Sequence, residues 1–282
     1  MRHLLLDANN LMFRARHACF KRQYPNVIVH VFFRGLKPII EKFSPDYVYF
    51  VLDGVPKKRL ELMSEYKGTR KYHDKDGFRA QKKKIVQIVK DDLPFITIRH
   101  PEAEADDVIA NLAIKTIPQD HEKIVVSSDT DFIQLCQTAS NTKLYNPITK
   151  SFREAPEYPY DVWKAMRGDS SDNIQGIRGL GNKRAAKLAS DSSAFDLYFT
   201  QKPEDYEKFQ KNLEMISLRA FEDEDEEVIE LSYGKNSIES LLETFTELKF
   251  KSMISTRSWE KYSLPFRGLK DGTEYAKCRS VK

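Results

Sequence analysis

Nine acidic side chains stand out because they follow apolar runs or open helical patterns in tight groups. If they converge in one cleft, so many like charges cannot remain ionised together without cations. Carboxylate oxygens are hard ligands, which select magnesium or manganese rather than zinc. Two such ions about 3.5–4 Å apart can bridge a phosphate, activate water and stabilise the leaving oxygen. The nine are Asp7, Asp53, Glu104, Asp106, Asp107, Asp129, Asp131, Asp169 and Asp172.

The acidic groups differ in how far their spacing supports a shared site. Carboxylates in the first turn of a helix are favoured by the helix dipole, but three of them in Glu104–Asp107 exceed what capping requires. Asp129 and Asp131 follow a strand-like run and project to one side of an extended backbone. Asp169 and Asp172 are three residues apart and share one face of a helical turn.

Other catalytic or targeting signals are missing from the sequence. The three cysteines, Cys19, Cys136 and Cys278, show no CxxC spacing, so disulfides and a structural zinc site are not expected. No GxxxxGK[ST] loop indicates nucleotide hydrolysis. The apolar run Leu4–Leu6 is too short for a signal peptide, and no stretch reaches the length of a transmembrane helix. A cytoplasmic protein without membrane association is expected.

Basic residues concentrate in one segment. Residues 57–90 contain twelve Lys or Arg against four Asp or Glu, on a chain whose formal net charge is +4. Such a segment on an otherwise acidic body indicates a polyanionic partner. Lys67 and Arg70 share a helix face, from which a cation can stabilise negative charge at a phosphate being cut. The run Lys82-Lys83-Lys84 has an equally good alternative reading as a solvated helix face.

The elements that must position these residues alternate between strands and helices. Three apolar runs that end in aspartate read as buried strands: His3–Asp7, Asp46–Asp53 and Lys123–Asp129. Helical patterns lie between and beside them at Val29–Phe43, Phe78–Leu93 and Glu104–Thr116. One aspartate at a strand end is usually a cap or turn residue, but three favour a site at the carboxyl edge of a sheet. We predict an α/β fold with a mostly parallel central sheet.

The chain changes character after about residue 160. Strand-like runs almost vanish, and helical patterns with glycine-rich turns take over. We therefore predict an α/β core over 1–160 and a helical domain over 161–282. The acidic run Glu222–Glu227 reads as a solvated loop. Three glycines precede a basic helix start, an arrangement that can bind phosphate through backbone amides, although a plain helix–turn–helix is the alternative. They are Gly176, Gly179 and Gly181, before Lys183 and Arg184.

Six sequence motifs, taken together and in this order, resemble those of the 5′-3′ exonuclease and flap endonuclease family. The resemblance covers about residues 3–190 and is greatest to the short stand-alone bacteriophage and bacterial members. The motifs are LLLDANNLMFR (Leu4–Arg14), VLDG (Val51–Gly54), SEYKGTRK (Ser64–Lys71), EAEADD (Glu102–Asp107), SSDTDF (Ser127–Phe132) and GDSSDNIQGIRGLGNKRA (Gly168–Ala185).

The resemblance implies a role for each acidic residue in binding two Mg²⁺ ions, for which Mn²⁺ can substitute. The first group of ligands would be Asp7, Asp53, Glu104 and Asp106. The second site and its surroundings would be formed by Asp107, Asp129, Asp131, Asp169 and Asp172. How the carboxylates divide between the two ions stays open.

The resemblance also implies contacts to nucleic acid. Lys67 and Arg70 would contact the scissile phosphate, and Tyr66 would stack on a nucleotide, with a core tyrosine as the alternative. Arg14 and Lys164 would touch the phosphate backbone.

Two larger elements are implied as well. The lysine run would belong to a helical arch, at about 66–92, that admits a single-stranded 5′ end. The glycine-rich turn would grip duplex DNA, with a K⁺ ion bound at Gly176–Gly181.

The implied function is a monomeric structure-specific 5′-nuclease that removes RNA primers or 5′ flaps during DNA replication. Its partner would be DNA with a 5′ flap, a nick or an RNA primer, in the bacterial host cytoplasm if the protein is viral. Two alternatives remain at this point. One is an RNA-cutting PIN-domain enzyme, which would lack the Gly168–Ala185 element. The other is a non-catalytic nucleic-acid-binding subunit, which would lack metal ligands.

Overall fold

The computed structural model describes residues 1–19, 24–68 and 77–273. A seven-stranded sheet forms the centre, in the order β6-β5-β4-β1-β2-β3-β9. The five inner strands are parallel, and the two edge strands, β6 and β9, are antiparallel to their neighbours. The strands are β1 (Arg2–Asp7), β2 (Tyr47–Leu52), β3 (Ile96–Arg99), β4 (Glu122–Val126), β5 (Thr142–Asn146), β6 (Ser151–Arg153) and β9 (Glu230–Tyr233), with a separate pair β7 (Gly168–Asp169) and β8 (Ile174–Gln175).

Helices cover both faces of this sheet, which explains why its central strands are almost continuously apolar. The prediction of an α/β fold with a mostly parallel sheet is confirmed. The helices are α1 (Ala8–Ala18), α2 (Val27–Phe43), α3 (Lys57–Leu62), α4 (Phe78–Asp92), α5 (Ala105–Asn111), which continues as a π-helical turn (Leu112–Thr116), α6 (Ile133–Thr138), α7 (Tyr160–Arg167), α8 (Asn182–Ser190), α9 (Ser192–Thr200), α10 (Pro203–Ile216), α11 (Asp223–Glu226), α12 (Ile238–Glu247), α13 (Lys251–Ile254) and α14 (Thr256–Arg267).

Alternate residues of the strands divide between two apolar cores. Leu4 and Leu6 of β1 point to the face covered by α1, α2 and α4, whereas Leu5 points to the face covered by α5 and α6. This period-2 division fixes the register of the sheet, because a slip by one residue would exchange the two faces. Strand β1 is paired on both sides, with β2 and β4, and therefore lies in the middle of the molecule.

A third apolar cluster holds α7, α8, α9 and α10 together beyond residue 160. Met166, Phe199 and Phe209 are among its buried members. Its tightest point is the β7–β8 hairpin, where a Cβ added to Gly176 would overlap the backbone carbonyl of Arg167. Only glycine fits there, so the hairpin, which carries the acidic residues Asp169 and Asp172, is fixed in position.

The C-terminal part of the chain returns to the central sheet. Strand β9 pairs with β3, and Phe245, Tyr262 and Phe266 pack into the core under α2 and α4. The hydroxyl of Tyr262 donates to the backbone carbonyl of Phe33 at 3.0 Å. The expected helical segment over 161–282 thus omitted strand β9, as well as the two-residue strands β7 and β8. A four-residue, half-exposed strand carries too little apolar pattern to be recognised in the sequence.

None of the described helices combines the length and the apolarity required to cross a membrane.

Candidate metal centre and nucleic-acid interface

Three of the aspartates lie at the carboxyl ends of neighbouring parallel strands. Asp7 is the last residue of β1 and is paired in register with Val51 of β2, two residues before Asp53. On the other side, Leu6 is paired with Val126, the last residue of β4, three residues before Asp129. The sequence-based expectation that these strands deliver their aspartates to one edge therefore agrees with the register of the sheet.

Asp7 is the most buried of the three. It caps α1, with Oδ1 accepting from the backbone N–H of Asn10 at 3.0 Å and Oδ2 accepting from the Ser127 hydroxyl at 2.8 Å. Burial, together with the negative charges of Asp53 and Asp129, raises the pKa of Asp7 to about 7. Burial is the larger cause of this rise, and the two neighbouring carboxylates add to it.

The start of α5 brings another carboxylate to the same edge. Asp53 accepts a hydrogen bond from the backbone N–H of Ala105 at 2.9 Å, which joins the end of β2 to this helix. Asp106 follows directly, and its pKa lies well above the ordinary value because of burial and then the charges of Asp7 and Asp129. Side chains from β1, β2, α5 and the loop after β4 therefore repel one another at one place.

Lys164 lies among the carboxylates of the second group. Its ammonium is in ion pairs with Asp131 and with Asp169, the latter at 2.6 Å, and the residue is 5% exposed. The hydrogen bonds from Lys164 and Ser171 outweigh burial and lower the pKa of Asp169 to about 2. The predicted contact of Lys164 with the phosphate backbone stays a prediction, and an incoming phosphate would compete with these two ion pairs.

Asp131 and Asp129 form the rim of the same group. Burial and the charges of Asp129 and Asp169 raise the pKa of Asp131 to about 6, against the lowering effect of Lys164. The backbone N–H of Asp131 donates to Asp129 Oδ1 at 3.0 Å. This hydrogen bond holds the loop after β4 in the turn that presents both aspartates.

Lys67 is a cation between the two carboxylate groups. Its ammonium contacts Glu104 and lies 3.8 Å from Asp172. Burial opposes the charge on Lys67, but Glu104 and Asp172 outweigh it, so its pKa is raised. Its backbone has a φ of 54°, in the left-handed region, and its N–H donates to the carbonyl of Asp172 at 3.3 Å. Lys67 thus lies beside two of the carboxylates predicted as metal ligands, and its contact with the scissile phosphate stays a prediction.

Tyr66 is buried rather than available for stacking on a nucleotide. Its hydroxyl donates to Glu104 at 2.8 Å and to Asp172 at 3.2 Å, and its ring packs in the core of α7 and α8. The alternative of a core tyrosine is thus the one the structure supports. Stacking would need an open ring face, which a residue that is 6% exposed does not offer.

Arg59 is a site residue that sequence reasoning missed. Its guanidinium donates to both oxygens of Asp107 at 2.7 Å and to Glu104 at 3.0 Å, and its Nε donates to the carbonyl of Met215 at 2.9 Å. In the sequence it is one of three consecutive basic residues, with no signal to separate it from its neighbours. Asp107, predicted as a metal ligand, faces this guanidinium.

Five of the carboxylates surround a cleft of about 160 Å³: Asp106, Asp129, Asp131, Asp169 and Asp172. Within the described ranges, no three His, Cys, Asp or Glu side chains already form a metal-binding group, and lysines pair with several of the carboxylates. The donors are nevertheless carboxylate and hydroxyl oxygens, the ligands that Mg²⁺ and Mn²⁺ prefer. The cleft is lined by Lys67, Asp106, Asp129, Thr130, Asp131, Tyr160, Lys164, Arg167, Asp169, Ser171 and Asp172.

Two further cations line the approaches to this cleft. Arg167 was not predicted; its guanidinium lies over the Trp163 ring at 5.0 Å, and its Nε donates to the Gly168 carbonyl at 3.1 Å. Arg14 is half-buried and lines a small cavity of about 130 Å³ between α1 and α2. Burial lowers the pKa of Arg14. Among the described residues it has no ion-pair partner, which leaves it available for an anion.

The three lysines of α4 differ in their surroundings. Lys82 is half-buried, with its ammonium over the rings of Phe13 and Phe78, and it feels the charge of Asp53. Lys83 is exposed, and Lys84 is exposed with a hydrogen bond to the Asn26 side chain at 3.0 Å. Only Lys82 is therefore oriented toward the metal centre. Arg70 and the adjoining part of the predicted arch, 69–76, lie outside the described residues.

The glycine-rich turn leads into α8 as the sequence suggested. Gly179 has a φ of 84°, and Gly181 is the N-cap residue of α8. Lys183 and Arg184 are exposed in the first turn, and the Arg184 guanidinium lies 5.5 Å from the centre of the Tyr198 ring. Free amides and two cations at one helix start form a surface suited to phosphate.

Comparisons with known proteins agree with this architecture. The family model described as 5′-3′ exonuclease, N-terminal resolvase-like domain, matches residues 2–162. A 5′-3′ exonuclease of Aquifex aeolicus is 28% identical over 278 residues, covering 89% of this chain and 93% of that protein. DNA polymerase I of Treponema pallidum is 32% identical over 202 residues, which are 65% of this chain but only 20% of the polymerase.

Solved structures of similar fold come from bacteriophage T5. A T5 protein co-crystallised with metal ions has a TM-score of 0.61 and 19% identity, covering 77% of this chain and 90% of that one. The T5 flap endonuclease in a complex with DNA and metal ions has a TM-score of 0.60 and 20% identity, covering 77% and 89%. At these identities the likeness concerns the fold.

Proposed function

The chain belongs to the 5′-3′ exonuclease family, and we propose that it is a structure-specific 5′-nuclease that hydrolyses phosphodiester bonds near a 5′ end of DNA. One observation carries the proposal: carboxylates from β1, β2, α5, the loop after β4 and the β7–β8 hairpin meet at the carboxyl edge of the sheet. A cleft of this charge attracts divalent cations, and the cations in turn attract a phosphodiester.

The cations that fit are two Mg²⁺ ions, with Mn²⁺ as a substitute. One set of carboxylates consists of Asp7, Asp53 and Asp106, with Glu104 close to Asp106. The other set consists of Asp131, Asp169 and Asp172. Asp129 interacts with members of both sets. When bound, the ions would lower the pKa of the attacking water and stabilise the leaving oxygen. The raised pKa values of Asp7 and Asp106, caused first by burial and then by neighbouring carboxylates, support this, since a bound cation would stabilise both ionised groups.

Lys67 has the central role among the protein's own groups. Its ammonium lies between Glu104 and Asp172, at the border of the two carboxylate sets. A phosphate that entered the cleft would meet this ammonium, which can stabilise negative charge that develops on a non-bridging oxygen. Tyr66 keeps Glu104 and Asp172 in place through its hydroxyl, without touching the substrate.

Substrate selection rests on two basic surfaces outside the cleft. Lys82 on α4 is half-buried, its pKa is influenced by Asp53, and it suits a single strand that leaves the cleft, with the exposed Lys83 and Lys84 beside it. The turn before α8, with Lys183 and Arg184, suits the phosphates of a duplex, and a K⁺ ion at Gly176–Gly181 would add to that grip. The proposed substrate is therefore DNA with a 5′ flap, a nick or an RNA primer, met in the cytoplasm by a monomer during replication.

The test is cleavage of a labelled 5′-flap duplex with and without Mg²⁺, with mapping of the cut. Cutting near the junction, only with a divalent cation, is expected. A single-stranded RNA cut equally well would favour the RNA-cutting alternative. Binding without cutting in Mg²⁺ would favour a non-catalytic subunit, and either result would overturn the proposal.

A further inference from the structure

We propose that Asp107 is not a metal ligand but the counter-charge of Arg59, and that the two form a bracket that positions Glu104 in the metal centre. The inference deepens the proposed nuclease function and rests on it for the role of Glu104. It assigns a positioning role to Arg59, a residue that the sequence motifs do not single out.

The first step concerns the hydrogen bonds of the Arg59 side chain. Four of the five N–H groups of a guanidinium are used: two on Asp107 at 2.7 Å, one on Glu104 at 3.0 Å and one on the carbonyl of Met215 at 2.9 Å. The side chain is 12% exposed. With a single N–H left and the side chain almost enclosed, Arg59 is poorly suited to bind a DNA phosphate.

The second step concerns the direction of Asp107. Consecutive residues on an α-helix point about 100° apart, as 3.6 residues per turn requires, so Asp106 and Asp107 cannot face the same cleft. Asp106 lines the carboxylate cleft, whereas Asp107 lines a separate cavity of about 290 Å³ on the far side of Arg59. Asp107 also accepts from the backbone N–H of Glu104 at 3.2 Å, so it caps the helix as well.

The third step concerns what the bracket holds. Glu104 receives Arg59 and the Tyr66 hydroxyl on Oε2, and Lys67 on Oε1. All three donors come from α3 and the turn that follows it, whereas Glu104 belongs to the start of α5. The bidentate Arg59–Asp107 pair adds a contact of fixed geometry between these two elements. Without it, the carboxylate of Glu104 could rotate away from the metal centre.

A double-mutant cycle tests the proposal with Arg59→Met, Asp107→Asn and the two combined. Each single variant leaves a buried charge without its partner, so each should lower the melting temperature in EDTA. The combined variant should melt no lower than the worse single one, because it leaves neither charge behind. Melting temperatures that fall additively would show that the two residues do not act as a unit.

Mn²⁺ binding, measured by calorimetry without DNA, separates positioning from direct ligation. Arg59→Met should weaken Mn²⁺ binding on the order of 10- to 100-fold, although arginine cannot bind a cation, and adding Asp107→Asn should weaken it little further. If Asp107→Asn weakens Mn²⁺ binding as much in the Arg59→Met background as in the wild type, Asp107 is itself a ligand and the proposal fails. Unchanged Mn²⁺ binding in Arg59→Met would reduce the bracket to a purely structural contact and also overturn it.

Single-turnover cleavage of a 5′ flap, well below the melting temperature, adds a third readout. The rate at saturating enzyme should fall by a similar factor in all three variants, with the enzyme concentration at half-maximal rate unchanged. A raised half-maximal concentration at a normal rate would identify Arg59 as a DNA contact. Lys57→Met is the matched control, because Lys57 lies on the same helix and pairs with Glu102 at the surface. If the wild-type protein does not cleave flaps at all, the proposed function fails. The melting temperatures in EDTA and the Mn²⁺ affinities still test whether Arg59 and Asp107 act as a unit that positions Glu104.

Discussion

The ammonium of Lys164 lies 2.6 Å from Asp169 Oδ2, so a lysine of α7 forms part of the carboxylate centre itself. With its second ion pair to Asp131, it neutralises charge that would otherwise need a metal ion. Lys67 does the same for Glu104 on the opposite side. The protein thus holds its acidic residues together with internal cations, and divalent ions must compete with them.

Replacing Lys164 by Met should therefore increase the stabilisation that divalent cations provide. The variant should melt lower than the wild type in EDTA, because Asp131 and Asp169 lose their cation. Added Mn²⁺ should raise its melting temperature more than that of the wild type. A tenfold gain in affinity adds about 1.4 kcal/mol, or roughly 3–5 °C for a protein of this size. Lys202→Met, at a surface ion pair with Asp205, is the control; an equal Mn²⁺ effect in all three proteins would contradict the competition.

Replacing Asp129 or Asp131 by Asn should abolish cutting while DNA binding remains. Either change removes a carboxylate from the centre, so the rate in Mg²⁺ should fall by on the order of a hundredfold or more. Binding measured in Ca²⁺ should stay the same or improve, since a negative charge has left the cleft. The wild type should be inactive in EDTA. Near-normal cleavage by both variants, or full activity of the wild type in EDTA, would contradict a two-metal site formed by these residues.

Lys67→Ala and Lys183→Ala should fail in different ways. Loss of the Lys67 ammonium should slow single-turnover cleavage by about a hundredfold, the usual cost of one transition-state contact of this kind. Lys183 is exposed at the start of α8, remote from the carboxylates. Its loss should weaken duplex binding and reduce the salt slope by about one unit, with the rate at saturating enzyme unchanged. The reverse pattern would mean that the catalytic and anchoring surfaces have been exchanged.

Much of this site could be predicted because parallel strands deliver their carboxyl ends to one edge. Asp7, Asp53 and Asp129 needed only the strand assignment. Tyr66 and Lys164 could not be placed, because their side chains are fixed by contacts with residues far away in the chain.

Short elements were missed for a related reason. Strands β3 and β9 span four residues each, and their stability comes from pairing with each other and with β2 rather than from a local pattern. Arg59 was missed because its burial is not visible in the sequence. Lys57 and Lys58, beside it, make exposed ion pairs, and only the folded chain shows that Arg59 is the buried one.

The lysines of α4 should contribute unequally to flap cleavage. Replacing Lys82, Lys83 and Lys84 together by Ala should reduce cleavage of flaps more than binding to plain duplex. Lys82→Ala alone should account for most of the loss, because Lys82 is the half-buried lysine of the three and its pKa responds to the charge of Asp53. The matched control is the Lys83→Ala/Lys84→Ala pair. Equal losses for flap cleavage and duplex binding would make the run a general electrostatic patch.

The position of the α4 lysines also predicts that cleavage depends on a free 5′ end. A bulky protein adduct on that end, attached before the enzyme is added, should inhibit strongly, whereas one attached after the complex has formed should inhibit less. A block on the 3′ end is the control. Equal cleavage of blocked and unblocked flaps would argue against threading of the strand.

A histidine far from the cleft should make stability depend on pH. His3 is fully buried, with Nδ1 3.1 Å from the Tyr49 hydroxyl and Nε2 2.9 Å from His121 Nδ1. Burial first, and then the charge of His121, lower the pKa of His3 from 6.5 to about 3. Below pH 6.5 the unfolded chain therefore takes up a proton that the folded one does not, and this contribution to stability is progressively lost down to about pH 3.

Between pH 7 and pH 5 the loss should be about 2 kcal/mol in the free energy of unfolding. Urea unfolding of the wild type and of His3→Asn at both pH values measures it, and the variant should lack this part of the pH dependence. Identical pH dependence in the two proteins would show that His3 does not titrate differently in the folded state.

The return of the chain to β3 and to the core under α2 has a consequence for synthesis on the ribosome. All the carboxylates are made by residue 172, but Phe245, Tyr262 and Phe266 complete the apolar face that α2 and α4 leave open. A nascent chain that stops after α10 would carry its full set of acidic residues on a sheet with a bare β3 edge and an uncovered apolar layer. Such an intermediate is prone to aggregate, so the segment after α10 determines whether the chain becomes a usable protein.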